Sequence, residues 1–499
     1  MGERGYVEAA ISVLRAITAS GLASADVLSE LGLLYHVNGQ INEAIRCYES
    51  ALSHSPRLDT IQRLAVLYFA KGRRAEAVSL MQAGVDRYGL DNPLSPQLAR
   101  MRYVWMRQLD SRALDDQKAL FDHIAHVENE LEKAPLYQPS EFWQKHIQMH
   151  KYLLEAYGIE NLKRTVSHNY QNWFMVSAAD PQVKRLKELH PECFVASSEL
   201  DSSDDVTDVG FHFVAHDLQR PNRTRAFNVV DVDQGGAIKT EVLFPEYLLS
   251  KPENLRMYKA AVRALWKSSG IDTSPFKTII FEEEVGNPIR VLHENKRISS
   301  DLAHSFRERR EIFSAACLDG SEGLCVAELG AGHGRLAELF GKTTNYRYFI
   351  FDIAPALCVS QWYISRLFGE QNVFTFRPFT SFDDVRDELS AARFAFFSAN
   401  QIELFPDNYF NMFININSLM EMRLDQIKNF LFHIDRLTTD VFYIKQWKKW
   451  TNVIDNLVTE QTHYSLNPPW QLVLQKSDDI YRDFFVEVWL KRSSTRRKT

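Results

Sequence analysis

Short apolar stretches alternate with amphipathic ones over about the last 200 residues, and this alternation limits the fold more than any other feature of the chain. The apolar stretches predict strands at Leu324–Leu329, Tyr346–Asp352, Asn372–Phe376, Asn411–Asn417, Val441–Trp447 and Phe484–Leu490. The amphipathic stretches predict helices at Gly334–Phe340, Ala356–Phe368, Phe382–Leu389 and Met420–Leu437. Strands that alternate with helices form a mostly parallel sheet covered by helices. We therefore predict an α/β, Rossmann-like, doubly wound domain over residues 299–499.

A glycine-rich turn, Glu328-Leu-Gly330-Ala-Gly332-His-Gly334, joins the first predicted strand to the first predicted helix. Without a Cβ, glycine can turn tightly, adopt positive φ and let a ligand approach the backbone. Ligands of open α/β sheets bind beyond the carboxyl ends of the strands. Asp352 ends the next predicted strand, where a carboxylate can accept both hydroxyls of an adenosine ribose. The turn and Asp352 together predict a site for a nucleoside cofactor.

Two classes of cofactor use this geometry, and the details of the turn separate them. A dinucleotide fingerprint requires a further glycine where this chain has Arg335. The pattern of Glu328 followed by three alternating glycines instead resembles the first motif of the class I S-adenosylmethionine-dependent methyltransferases. That resemblance implies S-adenosyl-L-methionine as cofactor, with the acid near its sulfonium and ammonium groups, where a negative charge is favourable. It implies a cofactor site formed by Glu328, Gly330, Ala331, Gly332, Gly334, Asp352, Ile353 and Asn417.

Further blocks of the sequence resemble one family, the sugar O-methyltransferases. The most specific of them is Asn415-Ile-Asn-Ser-Leu-Met-Glu-Met422, an N-x-x-S-x-x-E-M stretch after a predicted strand. The other blocks are Val326–Leu336, Phe351–Pro355, Glu284–Pro288, Arg297–Asp301 and Gly158–Arg164 with Tyr170. The resemblance extends roughly over Pro139–Leu490. It implies methyl transfer to a hydroxyl group of a sugar or glycan acceptor.

A sugar hydroxyl is a poor nucleophile, so such an enzyme needs a general base or a metal ion that lowers the hydroxyl pKa. Glu421, His333 and His463 are the candidate catalytic residues, because they lie near predicted strand ends or in loops. Ser418 and Glu421 also match the S-x-x-E sequence of a capping box at the start of the following helix, which would be a purely structural role for Glu421. We predict His433 to be a packed core histidine. No cluster of His, Asp and Glu has metal-ligand spacing, so we favour metal-free catalysis and leave Mg²⁺ open.

The N-terminal residues contain an internal repeat. Leu31, Gly32, Tyr35, Gly39, Ala44, Tyr48, Ala51 and Pro56 occupy the offsets of a tetratricopeptide helix pair, and Tyr68, Gly72 and Ala77 repeat three of them 33 residues later. The segments Tyr6–Thr18 and Leu94–Leu109 would flank the pairs as capping helices. The repeats are either a structural solenoid or a surface that binds a protein partner or a second copy of the chain. The sequence leaves these two roles open.

The predicted boundaries divide the chain into tetratricopeptide-like repeats over 1–110, a connecting or substrate-side α+β region over 111–298, and the cofactor-binding domain over 299–499. Strand-like stretches at Gly210–Val214 and Ala226–Val232 lie in the middle region.

The net charge of −6 argues against nucleic acid as a main partner. Five scattered cysteines without a CxxC pair, no apolar run long enough to span a membrane and no signal segment lead us to expect a cytoplasmic protein.

The sequence leaves three alternatives to a sugar methyltransferase. The acceptor could be another small molecule or a protein, because the glycine turn reports the cofactor and not the acceptor. The chain could be a repeat scaffold that binds the cofactor without turnover. A dehydrogenase is the third alternative, and Arg335 is the feature against it.

Overall fold

The computed structural model describes residues 2–88, 98, 101, 111–164, 175, 178–195, 231–232, 238–239, 252–452 and 454–491. The chain divides into two compact units, the first built on Met1–Leu114 and the second on Asp115–Asp208 and Leu248–Thr499. We call them the repeat unit and the sheet unit. Apart from residues 98, 101, 231 and 232, the predicted elements Leu94–Leu109, Gly210–Val214 and Ala226–Val232 lie outside the described residues. None of the helices described in this structure is long and apolar enough to cross a membrane.

The repeat unit is built from antiparallel helix pairs, as the repeat offsets predict. Its helices are α1 (Gly2–Ala19), α2 (Ala25–Val37), α3 (Ile41–His54), α4 (Leu58–Ala70) and α5 (Arg74–Tyr88). Tyr48 of α3 is fully buried against α2 at Gly32, where an added Cβ would lie 2.8 Å from the tyrosine ring. The two helices of the pair thus approach so closely at Gly32 that a larger residue would clash with Tyr48. The predicted repeat is confirmed.

The described remainder of the chain contains helices α6 (Ser111–Glu132), α7 (Glu141–Tyr157), α8 (Pro181–Leu189), α9 (Pro252–Ser269), α10 (Ser300–Ala316), α11 (Arg335–Thr343), α12 (Ala356–Phe368), α13 (Arg386–Ala391) and α14 (Leu424–Leu437). Three small two-stranded sheets are formed by β1 (Asp231–Val232) with β2 (Ile238–Lys239), β3 (Val291–His293) with β4 (Lys296–Ile298), and β11 (Lys449–Asn452) with β12 (Leu457–Glu460). The main sheet contains β5 (Cys325–Leu329), β6 (Arg347–Asp352), β7 (Val373–Phe374), β8 (Phe394–Ser398), β9 (Phe410–Ile416), β10 (Thr438–Trp447), β13 (Trp470–Ser477) and β14 (Phe484–Lys491).

The main sheet has the strand order β13-β14-β10-β9-β5-β6-β8-β7. Pairs from β7 through to β10 are parallel, whereas β14 is antiparallel to both of its neighbours. The chain runs outward from β5 through β6 to the edge strand β7, inserts β8 between β6 and β7, and then crosses to the other side of β5 as β9. This reversal places a topological switch point at the carboxyl ends of β5 and β9, where open α/β sheets bind ligands. The predicted Rossmann-like α/β fold is confirmed.

The secondary structure differs from the prediction in several places. The sequence pattern did not predict β8, β13 or the β11–β12 hairpin, and β7 is only two residues long. All five residues of β8 are buried, so the segment has no alternation of apolar and polar residues. The predicted helix Phe382–Leu389 is a short 3₁₀ turn, Phe382–Asp384, followed by α13.

Two of the resembling blocks, Gly158–Arg164 and Glu284–Pro288, lie against each other beside α11. The backbone N–H of Lys163 donates to the carbonyl of Gly286 at 2.9 Å. The Nζ of Lys163 is paired with Glu282 and lies 3.8 Å from Glu338 of α11, and all three side chains are at most 1% exposed. Tyr363 of α12 donates to the same Glu338 at 2.6 Å. These buried charges attach the middle region to the helices that follow β5 and β6.

We expect the substitution Lys163→Met to lower the free energy of unfolding of the sheet unit by ~3–5 kcal/mol, because it leaves Glu282 buried without its cation, whereas Glu338 keeps its ion pair with Lys342. Lys145→Met is the matched control. Lys145 pairs with Glu141 on exposed α7 surface, so its loss should cost about 0–1 kcal/mol. Urea titrations followed by tryptophan fluorescence measure both variants. Equal unfolding midpoints for the two would contradict the role given to Lys163.

Candidate functional site

The glycine-rich loop leaves the carboxyl end of β5 and runs into α11. Gly330, Gly332 and Gly334 have φ values of 72°, 61° and 87°, a region that side chains with a Cβ rarely adopt. A Cβ on Gly330 would lie 2.4 Å from the side chain of Ser418. The predicted positive φ of this loop is confirmed. At these three positions no side chain covers the loop backbone on the edge of the sheet where a ligand would bind.

Asp352 ends β6 beside this loop. Its carboxylate accepts hydrogen bonds from the backbone N–H of Gly332 at 3.1 Å and of Ile353 at 2.8 Å. The side chain is 8% exposed, and burial raises its pKa to about 7, against the opposing effect of these backbone donors. The carboxylate therefore orders the loop and lies at the loop's edge, where a ribose could reach it.

Glu328 lies in β5 and is almost fully buried. It accepts a hydrogen bond from the hydroxyl of Tyr348 at 2.8 Å, and burial raises its pKa to about 7. The guanidinium of Arg335 pairs with Glu308 of α10 through two bonds, of 2.6 and 3.1 Å. Arg335 thus links α10 to α11.

The N-x-x-S block holds the end of β9 against the end of β5. Asn415 and Ser418 each donate a hydrogen bond of 3.0 Å to the carbonyl of Leu329. Asn417 follows with φ 57°, its N–H bonded to the carbonyl of Lys445. The Oδ1 of Asn417 is buried and has no hydrogen-bond partner among the residues described. An unsatisfied acceptor beside the glycine loop fits a cofactor that carries an ammonium group or hydroxyls.

The structure contradicts the capping-box alternative for Glu421. Helix α14 begins at Leu424, with Arg423 at its N-cap, and Glu421 ends a short 3₁₀ turn, Leu419–Glu421. The hydroxyl of Ser418 makes no cap bond. Glu421 is partly buried, and desolvation raises its pKa to about 8. A carboxyl group at the carboxyl edge of the sheet is thus available for chemistry rather than used in a cap.

The candidate histidines lie in different surroundings. The Nε2 of His333, in the glycine loop, is 3.5 Å from Asp301, and the imidazole packs edge-on to Tyr363. His463 is exposed in the turn Gln461–Tyr464, and its Nδ1 accepts the backbone N–H of Glu460 at 2.9 Å. His433 is buried in α14 and bonded to Arg436 and Tyr137, which confirms the prediction of a packed histidine.

Four aromatic residues near the last strands, Trp447, Trp450, Tyr464 and Trp470, lie in different surroundings. Trp470 is 6% exposed in β13, and its indole N–H donates to Asp435 at 2.8 Å, so it is a packing residue. Trp447 packs on Phe484. Trp450 lies in the β11–β12 hairpin, which follows the carboxyl end of β10. Tyr464 is fully buried, and this burial, with a smaller contribution from the Glu421 carboxylate, raises the pKa of its hydroxyl to about 12.

Residues 398–401, which follow β8 at the carboxyl edge of the main sheet, were not predicted from the sequence as part of the site. Ser398 at the end of β8 pairs with Asp352 at the end of β6. Its hydroxyl donates to Asn400 at 2.7 Å, and Gln401 accepts its backbone N–H at 3.0 Å. The segment 398–401 therefore borders the ribose side of the predicted cofactor site. Its polar residues after a buried apolar run were the available signal.

Asp272, His293 and Glu294 bring their ligand atoms within 4.8 Å of one another, a grouping that sequence spacing did not predict. Trp266 donates to Asp272 at 3.1 Å, and Lys277 pairs with Glu294 at 2.9 Å. Both carboxylates thus have protein partners. No other such group of three occurs within the described part of the chain.

The strand order and the glycine loop define the sheet unit as a doubly wound α/β domain. Residues 25–58 match the tetratricopeptide repeat family. No curated protein matches the chain.

Among the solved structures that are similar to part of this chain are two methyltransferases. A Burkholderia thailandensis 1,6-didemethyltoxoflavin-N1-methyltransferase, with its acceptor and S-adenosylhomocysteine bound, is 16% identical over 39% of this chain and 80% of its own, with a TM-score of 0.28. A SAM-dependent methyltransferase from Aquifex aeolicus is 11% identical over 37% of this chain and 89% of its own, with a TM-score of 0.24. The assignment of an α/β fold to this chain rests on the strand order of its own main sheet.

Proposed function

We propose that the chain is an S-adenosylmethionine-dependent O-methyltransferase whose acceptor is a sugar hydroxyl. The observation that carries the proposal is the glycine loop, with three positive φ values, between an acidic strand end and the Asp352 carboxylate. The loop backbone, Asp352 and Ile353 would hold the nucleoside. Asn417, with its unsatisfied Oδ1, would hold the amino-acid end together with Glu328.

When bound, S-adenosylmethionine supplies a methyl group on a sulfonium, which leaves as a neutral thioether. In an in-line displacement of this kind, the protein contributes mainly by aligning the acceptor oxygen with the methyl carbon. Glu421 would accept the hydroxyl proton as the new O–C bond forms. It follows β9, the strand beside the glycine loop, and no hydrogen bond to its carboxylate is found among the described residues. His333 and His463 are the alternative bases, and we favour metal-free catalysis while leaving Mg²⁺ open.

The proposal of a sugar acceptor rests on the N-x-x-S-x-x-E-M block and its partner blocks. The experiment is incubation of the full chain with labelled S-adenosylmethionine and a panel of nucleotide-linked and polymeric sugars, scored for label transfer. Transfer to a sugar supports the proposal. Transfer only to proteins or to other small molecules would show that the acceptor is not a sugar. Cofactor binding without transfer to any acceptor would favour a scaffold, and tighter binding of NAD would favour a dehydrogenase.

We further propose that the repeats bind a protein partner or a second copy and take no part in the chemistry. Their buried residues serve packing, and the glycine loop belongs to the other compact unit. Removal of Met1–Asp110 should therefore leave the affinity for S-adenosylhomocysteine, measured by calorimetry, within a few-fold of that of the full chain. A truncated chain that stays folded but loses the ligand would contradict this separation.

A further inference from the structure

Helix α7 is attached at its beginning to elements that follow β9 and β10. Just before it, the carbonyl of Gln138 accepts a hydrogen bond of 3.1 Å from Arg423, which lies between β9 and α14. The backbone N–H of Phe142 donates to Asp455 at 3.4 Å, and its ring packs edge-on to Trp450. Asp455 and Trp450 belong to the hairpin that follows β10. The first turn of α7 therefore lies at the carboxyl edge of these two strands.

The end of α7 is attached to elements that follow β5 and β6. Lys163, six residues beyond the helix, pairs with Glu338 of α11 and lies 4.7 Å from the ring centroid of Tyr363 in α12. The 17 residues of α7 span about 26 Å at ~1.5 Å each, whereas four neighbouring strands span only about 14 Å. Helix α7 is thus long enough to cross the carboxyl ends of β10, β9, β5 and β6, over the switch point.

His146 lies in the first half of this helix on its buried side. It is 6% exposed, and His150, one turn further on, is fully buried. The Nδ1 of His146 lies 2.9 Å from the carbonyl of Phe142. A carbonyl can only accept, so Nδ1 carries the proton and Nε2 carries the lone pair. Within the described residues, Nε2 of His146 has no hydrogen-bond partner.

The contacts of His146 lead to Glu421. The imidazole lies 4.2 Å from the ring centroid of Phe142, which packs on Trp450. Trp450 pairs across the hairpin with Thr459, whose hydroxyl donates to the carbonyl of Met420 at 3.1 Å. Glu421 is the next residue. His146 and Glu421 therefore belong to one continuous group of contacts above β9 and β10.

We propose that α7 covers the acceptor end of the cofactor cleft, and that Nε2 of His146 accepts a hydrogen bond from a hydroxyl of the acceptor next to the one that is methylated. This assignment rests on the proposed methyl transfer and deepens it, because it selects acceptors with adjacent hydroxyls, as sugars have. Glu421 takes the proton of the methylated hydroxyl, and His146 orients the ring. Burial lowers the pKa of His146, which keeps Nε2 free to accept at neutral pH.

The test compares two ligands that differ in charge at the reacting sulfur. S-adenosylmethionine carries a sulfonium there and S-adenosylhomocysteine a neutral thioether, so a nearby imidazole must be harder to protonate in the first complex. The full chain, labelled at histidine, is titrated by NMR with each ligand, and the His146 signal is identified by its loss in His146→Gln. We expect its protonation midpoint to lie at lower pH with S-adenosylmethionine. His433, bonded within α14, should show the same midpoint in both.

An identical His146 midpoint in the two complexes, or a signal that stays neutral with unchanged shifts in both, would overturn the assignment while leaving the proposed function intact. If neither ligand binds, the proposed function fails and the assignment falls with it. With an acceptor from the sugar panel, His146→Leu should raise the KM for the acceptor about 3- to 10-fold, as loss of one hydrogen bond predicts, without changing the cofactor Kd. His433→Gln is the control and should leave both constants unchanged. An unaltered KM in His146→Leu would also overturn the assignment.

Discussion

Replacing Glu421 by glutamine should lower the rate of methyl transfer by about 10²- to 10⁴-fold, the usual contribution of a general base. The amide keeps the shape of the side chain but cannot take the hydroxyl proton. Because the residue caps no helix, we expect the melting temperature and the affinity for S-adenosylhomocysteine to change little. Initial rates with labelled cofactor, together with calorimetry, measure all three quantities.

The pH profile supplies a second measurement on the same residue. Burial raises the pKa of Glu421 to about 8, so the base form is scarce at neutral pH and becomes dominant above pH 8. We therefore expect kcat/KM to increase with pH through about 8 and then to level off. In Glu421→Gln this increase should disappear, because the titrating group has been removed.

The matched control is Glu460→Gln, in the hairpin that follows β10. Glu460 is about half-exposed and paired with Lys449, so this variant should retain the full rate. If Glu421→Gln keeps its rate within a few-fold, the base is another group. His333 and His463 would be tested next, and inhibition by a chelator that is reversed by added Mg²⁺ would indicate a metal instead.

Gly332→Val should abolish binding of S-adenosylhomocysteine. The φ of 61° at Gly332 is a genuine outlier for a β-branched residue, and its N–H donates to Asp352. To relieve the strain, the loop must move and separate from the carboxylate. Calorimetry should detect no binding at ligand concentrations that saturate the unsubstituted chain.

Gly323→Val separates backbone strain from loss of the site. Gly323 has φ 67° and open space around it, and it lies before β5, at the end of the strand opposite the glycine loop. Both variants should lose stability, by ~1–2 kcal/mol from the left-handed conformation alone. Only Gly332→Val should lose the ligand. Normal affinity in a folded Gly332→Val variant would remove the glycine loop from the cofactor site.

Local patterns in the sequence were sufficient for the architecture. The offsets from Leu31 to Pro56 predicted the helix pairs, and the alternation after residue 324 predicted the α/β domain. The glycine turn and Asp352 were placed correctly at neighbouring strand ends, because one strand–turn–helix unit determines their geometry. Each of these features depends on residues close together in the chain, where spacing alone reports structure.

Tertiary structure decided what depends on distant partners. Strand β8 is buried on both faces and so shows no periodicity, and the segment after it was missed for that reason. Ser418 and Glu421 match a capping box as text, yet the Ser418 hydroxyl bonds to Leu329, 89 residues earlier, and the helix starts later. Nothing near His146 in the sequence indicates that α7 lies across the sheet edge. A hydrogen bond or ion pair between distant segments leaves no local periodicity, so only the folded chain shows which polar residues meet.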